Sequence, residues 1–138
     1  MEDIFRTLVD TGDFRTLVRM VQAAGMEDML SNEGPITFFA PTDEAFHRFP
    51  ADQREALMDN EERLVRFLRG HIVEDLVRTV DLRRMRAVTN LNGDRLSIDV
   101  TNAVRIDNAY VTEPDIRCSN GAIQGIGEPI AIAVRLLA

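Results

Sequence analysis

Lysine is absent from the 138 residues, cysteine occurs once, and no apolar run is long enough to cross a bilayer. Each lack narrows the field. Every basic side chain other than the histidines is an arginine, and we read the arginines as scattered among acids with no basic block, a bias of composition. The net charge of −7 without a positive stripe argues against nucleic acid and anionic membrane surfaces as partners, because phosphate binding needs one. Cys118 has no partner for an internal disulfide, so cysteine usage leaves the redox compartment open. No basic start followed by an apolar run marks a targeting segment, which fits a cytoplasmic chain or one whose leader was removed or never included.

What is present suits one globular domain spanning 1–138. At this length roughly two-thirds of the unfolded surface can be buried, enough for a core. A hydrophobic fraction of 45% and a charged fraction of 28% argue against disorder.

The stretch Ile36 to Pro50 organises the rest. Ile36 to Phe39 is a short β-branched and aromatic run that predicts a buried strand, opened by a turn at Gly34-Pro35 and stopped by Pro41. Thr42 or Asp43 can cap a short helix that places Phe46 and Phe49 on one face beside the strand's aromatics.

Upstream, Phe5-Arg6-Thr7-Leu8-Val9 recurs as Phe14-Arg15-Thr16-Leu17-Val18, each copy with helical spacing, with Asp3 and Asp13 at N-cap positions and Gly12 and Gly25 at C-cap positions. Downstream, helix is expected over 51–59, and a second after Asn60 with Leu64, Phe67, Leu68 and His71 on one face. Residues 74–86 suit either helix or loop. From Ala87 the period changes to two. Asn92-Gly93 predicts a type I′ hairpin, Asp107-Asn108 a second hairpin, 122–126 a strand, and the alternation of Ile130, Ile132, Val134 and Leu136 a last strand. The order is α+β, with a helical first half and a β second half.

Three motifs carry a resemblance. Thr37-Phe38-Phe39-Ala40-Pro41-Thr42-Asp43-Glu44-Ala45-Phe46 resembles the first signature box of the fasciclin domain family, and Asp115 to Ile126 resembles the second. Leu68-Arg69-Gly70-His71-Ile72-Val73 is similar to the intervening Tyr-His segment, with Gly70 where an aromatic usually stands. Gln124 and Gly127 stand where the second box usually has a histidine and an aspartate, so any role those side chains serve in relatives lacks its usual carrier here.

The resemblance implies a fasciclin-like β wedge or sandwich of about seven strands with a helical layer along one side, the layered plan already argued. It also implies a non-catalytic adhesion or recognition module, extracellular or at the cell surface. We expect the chain to bind a protein or glycan partner through surface loops, as a monomer and without a cofactor. Glu113, Pro114, Asp115 and Ile116 match a segment associated with receptor binding in some animal relatives. Thr42, Asp43, His71, Asn120 and Gly121 are expected to serve structure, with His71 buried and hydrogen-bonded to Thr42, Asp43 or Asn120.

Other readings stay open beside these. His71 with Asp43 or Glu44 could serve a small-ligand-binding or hydrolytic site, although no nucleophile and orienting acid are signalled with it. Glu44 and His47 have metal-pair spacing but supply too few ligands, as do His71, Glu74 and Asp75, so no metal is expected. Asp115 and Ile116 either pin their loop inward or face a partner. Cys118 reads as a small buried or semi-buried residue, with only Arg117 near in sequence to lower its pKa. An edge strand at the C-terminus could instead pair with a second chain.

Overall fold

A computed structural model describes residues 1–135, and these form eight helices and seven strands. The apolar periodicity of the first third produces α1 (Ile4–Thr11), α2 (Arg15–Ala23) and α3 (Glu27–Asn32). Asp3 caps α1 by accepting from the Arg6 amide, and left-handed Gly12, at φ 79°, ends it. There follow β1 (Ile36–Pro41), α4 (Asp43–His47), α5 (Ala51–Met58), α6 (Glu61–Arg69) and β2 (Ile72–Val73). Thr42 caps α4 and Asn60 caps α6, each accepting from an amide three residues on. The ambiguous 74–86 stretch contains only the single turn α7 (Thr79–Leu82).

The β half contributes β3 (Ala87–Thr89), β4 (Arg95–Asp99), β5 (Arg105–Ile106), β6 (Ala109–Cys118) and β7 (Gly121–Ile126), and α8 (Ala131–Arg135) follows. Strand order in the sheet is β2-β1-β7-β6-β5-β4-β3. β1 and β7 lie parallel, from Ile36 opposite Gly121 to Pro41 opposite Ile126, while the other pairs are antiparallel. A bridge between Val73 and Asn90, with Leu91 N–H donating to the Ile72 carbonyl at 2.9 Å, brings the two outer strands together. The sheet therefore rolls back on itself, and its edges are partly covered.

Alternation along β1 feeds two cores. Phe38 points into an aromatic cluster with Phe14, Phe46 and Phe67 beneath the helices, and Phe39 into an aliphatic one with Val88, Leu96, Ile106 and Ile126. The expected α+β layering, aromatic on the helical side and aliphatic on the other, is what the structure holds.

Two expectations need correction. The first hairpin forms, but its last pair is Thr89 with Arg95, and only Gly93 of the turn has positive φ, so it is not a type I′ turn. Asn90 is the cause: its Oδ1 accepts from the Asn92 and Asp94 amides, which opens the turn into a wider loop. The predicted terminal strand is instead helix α8, where Ala133 and Val134, with Ile130 just ahead of the helix, meet the cores at helical spacing. Leu136 lies outside the described residues.

Candidate functional site

The parallel register of β1 and β7 brings the two sequence boxes side by side. Asn120, just ahead of β7, holds the entry to the pairing. Its Oδ1 accepts from the Ile4 amide at 3.0 Å, and its Nδ2 donates to the Leu30 and Glu33 carbonyls at 2.8 Å each. One side chain thus ties the start of α1 and the end of α3 to β7. A Cβ on Gly121 would lie 1.7 Å from the Ile36 carbonyl oxygen, so only glycine allows this approach.

His71 is fully buried, with its ring 4.7 Å from that of Phe67. Its partners differ from those expected. The Ile130 amide donates to Nε2 at 2.9 Å, so Nε2 is unprotonated and Nδ1 carries the hydrogen toward the Phe67 carbonyl, also at 2.9 Å. Neither Thr42, Asp43 nor Asn120 bonds the ring, because all three are engaged with backbone elsewhere. The imidazole bridges α6 to the entry of α8, while the His71 carbonyl accepts from the Phe39 amide of β1 at 2.8 Å. Burial pulls its pKa down to about 4 against the opposing pull of the Phe67 carbonyl. Gly70 completes the arrangement, since a Cβ there would lie 2.7 Å from that of Ala133 and push α8 away.

Asp43 does not cap its own helix but α2, accepting from the Arg15 and Thr16 amides at 3.1 and 2.9 Å while its own amide donates to the Asp13 carbonyl. Asp13 is therefore not the α2 cap its position suggested. Glu44 stays exposed. The catalytic grouping of His71 with Asp43 or Glu44 is not assembled: the imidazole is sealed in the core and the Asp43 carboxylate is bound to backbone amides.

A second network surrounds Asp115. Left-handed at φ 55° within the register shift of β6 between Glu113 and Ile116, it turns its carboxylate inward, where Oδ1 accepts from the Thr79 amide and Gln124 Nε2, and Oδ2 from the Thr79 hydroxyl at 2.6 Å. Fully buried Gln124 returns its Oε1 to the Asp115 amide and donates to the Val77 carbonyl, while Thr37 accepts from the Val77 amide and donates to the Asp75 carbonyl. Desolvation raises the Asp115 pKa, but hydrogen bonds from Thr79 and Gln124, aided by Arg78, outweigh it and hold the carboxyl below its usual range. The side chain in place of the family histidine thus fastens the 75–79 loop to β6 and β7, and Thr37 fastens it to β1.

Of the remaining residues of the Glu113–Ile116 segment, Pro114 is exposed and Glu113 and Ile116 are half-buried. Desolvation, with the nearby Asp13 carboxylate, raises the Glu113 pKa. Cys118 is buried, and burial raises its thiol pKa despite a Thr7 hydrogen bond, which makes it a poor nucleophile. Among the described residues no group of three or more His, Cys, Asp or Glu converges to hold a metal ion, and no helix is long and apolar enough to cross a membrane.

Surface clefts include one of about 540 Å³ lined by Phe49, Tyr110 and Pro129 and another of about 860 Å³ lined by Arg19, His47 and Arg54. His71 lines neither. Sequence reasoning also missed a concentration of arginine: Arg78, Arg83, Arg84 and Arg86, all exposed, follow one another through α7 and the approach to β3. The signal was there in Leu82-Arg83-Arg84-Met85-Arg86, diluted by the acidity of the whole.

The family profile of the Fasciclin domain matches residues 12–132. The uncharacterized protein sll1735 of Synechocystis is 38% identical over 94% of this chain and 98% of its own length. The transforming growth factor-beta-induced protein ig-h3 of Sus scrofa is 31% identical over 91% of this chain, which spans only 19% of that longer protein. A solved FAS1 domain pair from the insect cell adhesion molecule fasciclin I superposes with a TM-score of 0.83 over 93% of this chain and 50% of that one, at 18% identity. Matched in sequence and in architecture, the chain belongs to the fasciclin domain family.

Proposed function

We propose that this fasciclin domain is a non-catalytic recognition module that binds a protein or glycan partner through surface loops held on a rigid frame. One observation carries the reading: the buried polar side chains are all engaged in structural hydrogen bonds, Thr37, His71, Asn90 and Gln124 tying separate segments together and Thr42 capping α4, so none is left to act on a substrate. Loops mounted on such a frame recognise partners at low ordering cost. The likeness to a cell adhesion molecule supports a place outside the cell or on its surface.

Within this reading the Glu113–Ile116 segment contributes in two ways. Exposed Pro114 offers direct contact, whereas Asp115 acts as a positioning residue through its hold on Thr79. The domain works as a monomer. Immobilised protein, cross-linked to cell-surface extract, should retain a partner, and Asp115→Ala should retain less while keeping its fold by circular dichroism. Turnover in a panel of ester and glycoside substrates that His71→Gln abolishes would overturn the proposal.

A further inference from the structure

We propose that the segment Leu76 to Arg86 is a docking platform for an acidic stretch of a partner protein that also carries aliphatic side chains. The inference deepens the recognition reading and rests on it.

Charge is the first observation. This short segment holds four arginines against one aspartate, Asp81, in a chain of net charge −7. Among the described residues only Arg78 of the four is paired, with Asp81 at 3.5 Å, so Arg83, Arg84 and Arg86 present free guanidinium groups. Each is a planar fork that matches a carboxylate, and a positive patch on an acidic molecule selects and orients a negative partner.

Exposed apolar surface is the second. Leu76 is 43% and Val80 49% exposed, while Leu82 between them and the arginines is fully buried and anchors the turn. Val80 precedes Arg83 and Arg84 by three and four residues, the spacing that puts side chains on one side of a helical turn. Rigidity is the third. Thr37, Gln124 and Asp115 together hold Asp75, Val77 and Thr79, so the platform is fixed before a partner arrives.

This combination selects among anionic partners. A sulfated glycan would engage the arginines but gives Leu76 and Val80 nothing to bury. A membrane surface calls for an amphipathic helix with aromatic or leucine-rich bulk, and α7 is a single turn from Thr79 to Leu82 in an acidic chain. Arginine beside small apolar contacts is the composition of a protein interface.

A displayed random-peptide library selected on the full chain provides the test. Recovered peptides should be rich in Asp and Glu with interspersed Leu, Ile or Val, and should bind less well as salt rises. Binding of a labelled selected peptide should fall by roughly tenfold or more in Arg83→Glu/Arg84→Glu and again in Leu76→Ser/Val80→Ser, as expected of contacts at a patch centre. These positions are exposed, so melting should match the wild type, and the milder Arg83→Gln/Arg84→Gln and Leu76→Ala give the same comparison if a reversal upsets folding. Peptides without acidic enrichment, or binding indifferent to both pairs of substitutions, overturn the platform; binding at another surface would leave general recognition standing, whereas no peptide and no retained partner would remove both. Heparin or phosphatidylserine vesicles bound through the arginines but not through Leu76 and Val80, or self-association lost in the same variants, would overturn the choice of partner.

Discussion

Protonating His71 would place a charge in the core and turn Nε2 from acceptor to donor, facing the Ile130 amide that donates to it. Both effects oppose the imidazolium, and its pKa falls from 6.5 to about 4. The unfolded chain therefore binds the extra proton between those values while the native chain does not. Stability from this residue is complete above pH 6.5, declines as pH falls, and levels off below about 4. The full difference is about 3 kcal/mol. Glu113 works the other way, because desolvation and Asp13 raise its pKa and its stabilising effect is lost as pH rises through that raised value. His71→Ala separates the two. Urea unfolding at neutral pH should show the variant destabilised by ~1–3 kcal/mol, the cost of leaving the Phe67 carbonyl and Ile130 amide without partners. The decline between pH 6.5 and about 4 should vanish from it, leaving only the loss at lower pH as Asp115 takes up its proton. Equal pH slopes in both proteins would show that the imidazole is not the titrating group.

Helix α2 receives its cap from α4, and the element scale shows why some of the structure could be read in advance and some could not. Asp43→Ala should cost about 1–2 kcal/mol in urea unfolding by exposing the first amides of α2, whereas Asp13→Ala removes no cap and relieves the carboxylate beside Glu113, so it should be near neutral. Equal losses would remove Asp43 from this role. The caps that sequence located, Asp3, Thr42 and Asn60, each bond an amide three residues away. Asp43 reaches across 27 and 28 residues, and no local pattern encodes that distance. The same divide runs through the site. The pairing of the two boxes was legible from their motifs, but the bonds of His71 go to backbone groups of Phe67 and Ile130, which any residue type supplies. In the tail, Ile130, Ile132 and Val134 alternate as a strand would, while Ile130, Ala133 and Val134 fit a helix equally well. Gly70, by admitting Ala133, decides for the helix.

For the whole molecule, the question is whether the helical and β halves stand or fall together. They have separate cores, one gathering Phe14, Phe46 and Phe67, the other Val88, Leu96 and Ile106. Between them run β1 and β7, each contributing to both: Phe38 and Ile123 to the first, Phe39 and Ile126 to the second. Their parallel pairing joins residues far apart in the chain, and loss of that pairing would open both cores to water at once. His71 and Asn120 reinforce the coupling by tying the helices to segments beyond Cys118. Unfolding should accordingly be one transition. Far-ultraviolet circular dichroism follows mainly the helices of the first half, and Tyr110, the only tyrosine in a chain without tryptophan, follows β6, where Arg105 sits 5.8 Å from its ring. Urea midpoints from ellipticity and from tyrosine fluorescence should coincide. A lower midpoint for either signal would mean that one core survives without the other, and that the β1–β7 seam does not couple the two.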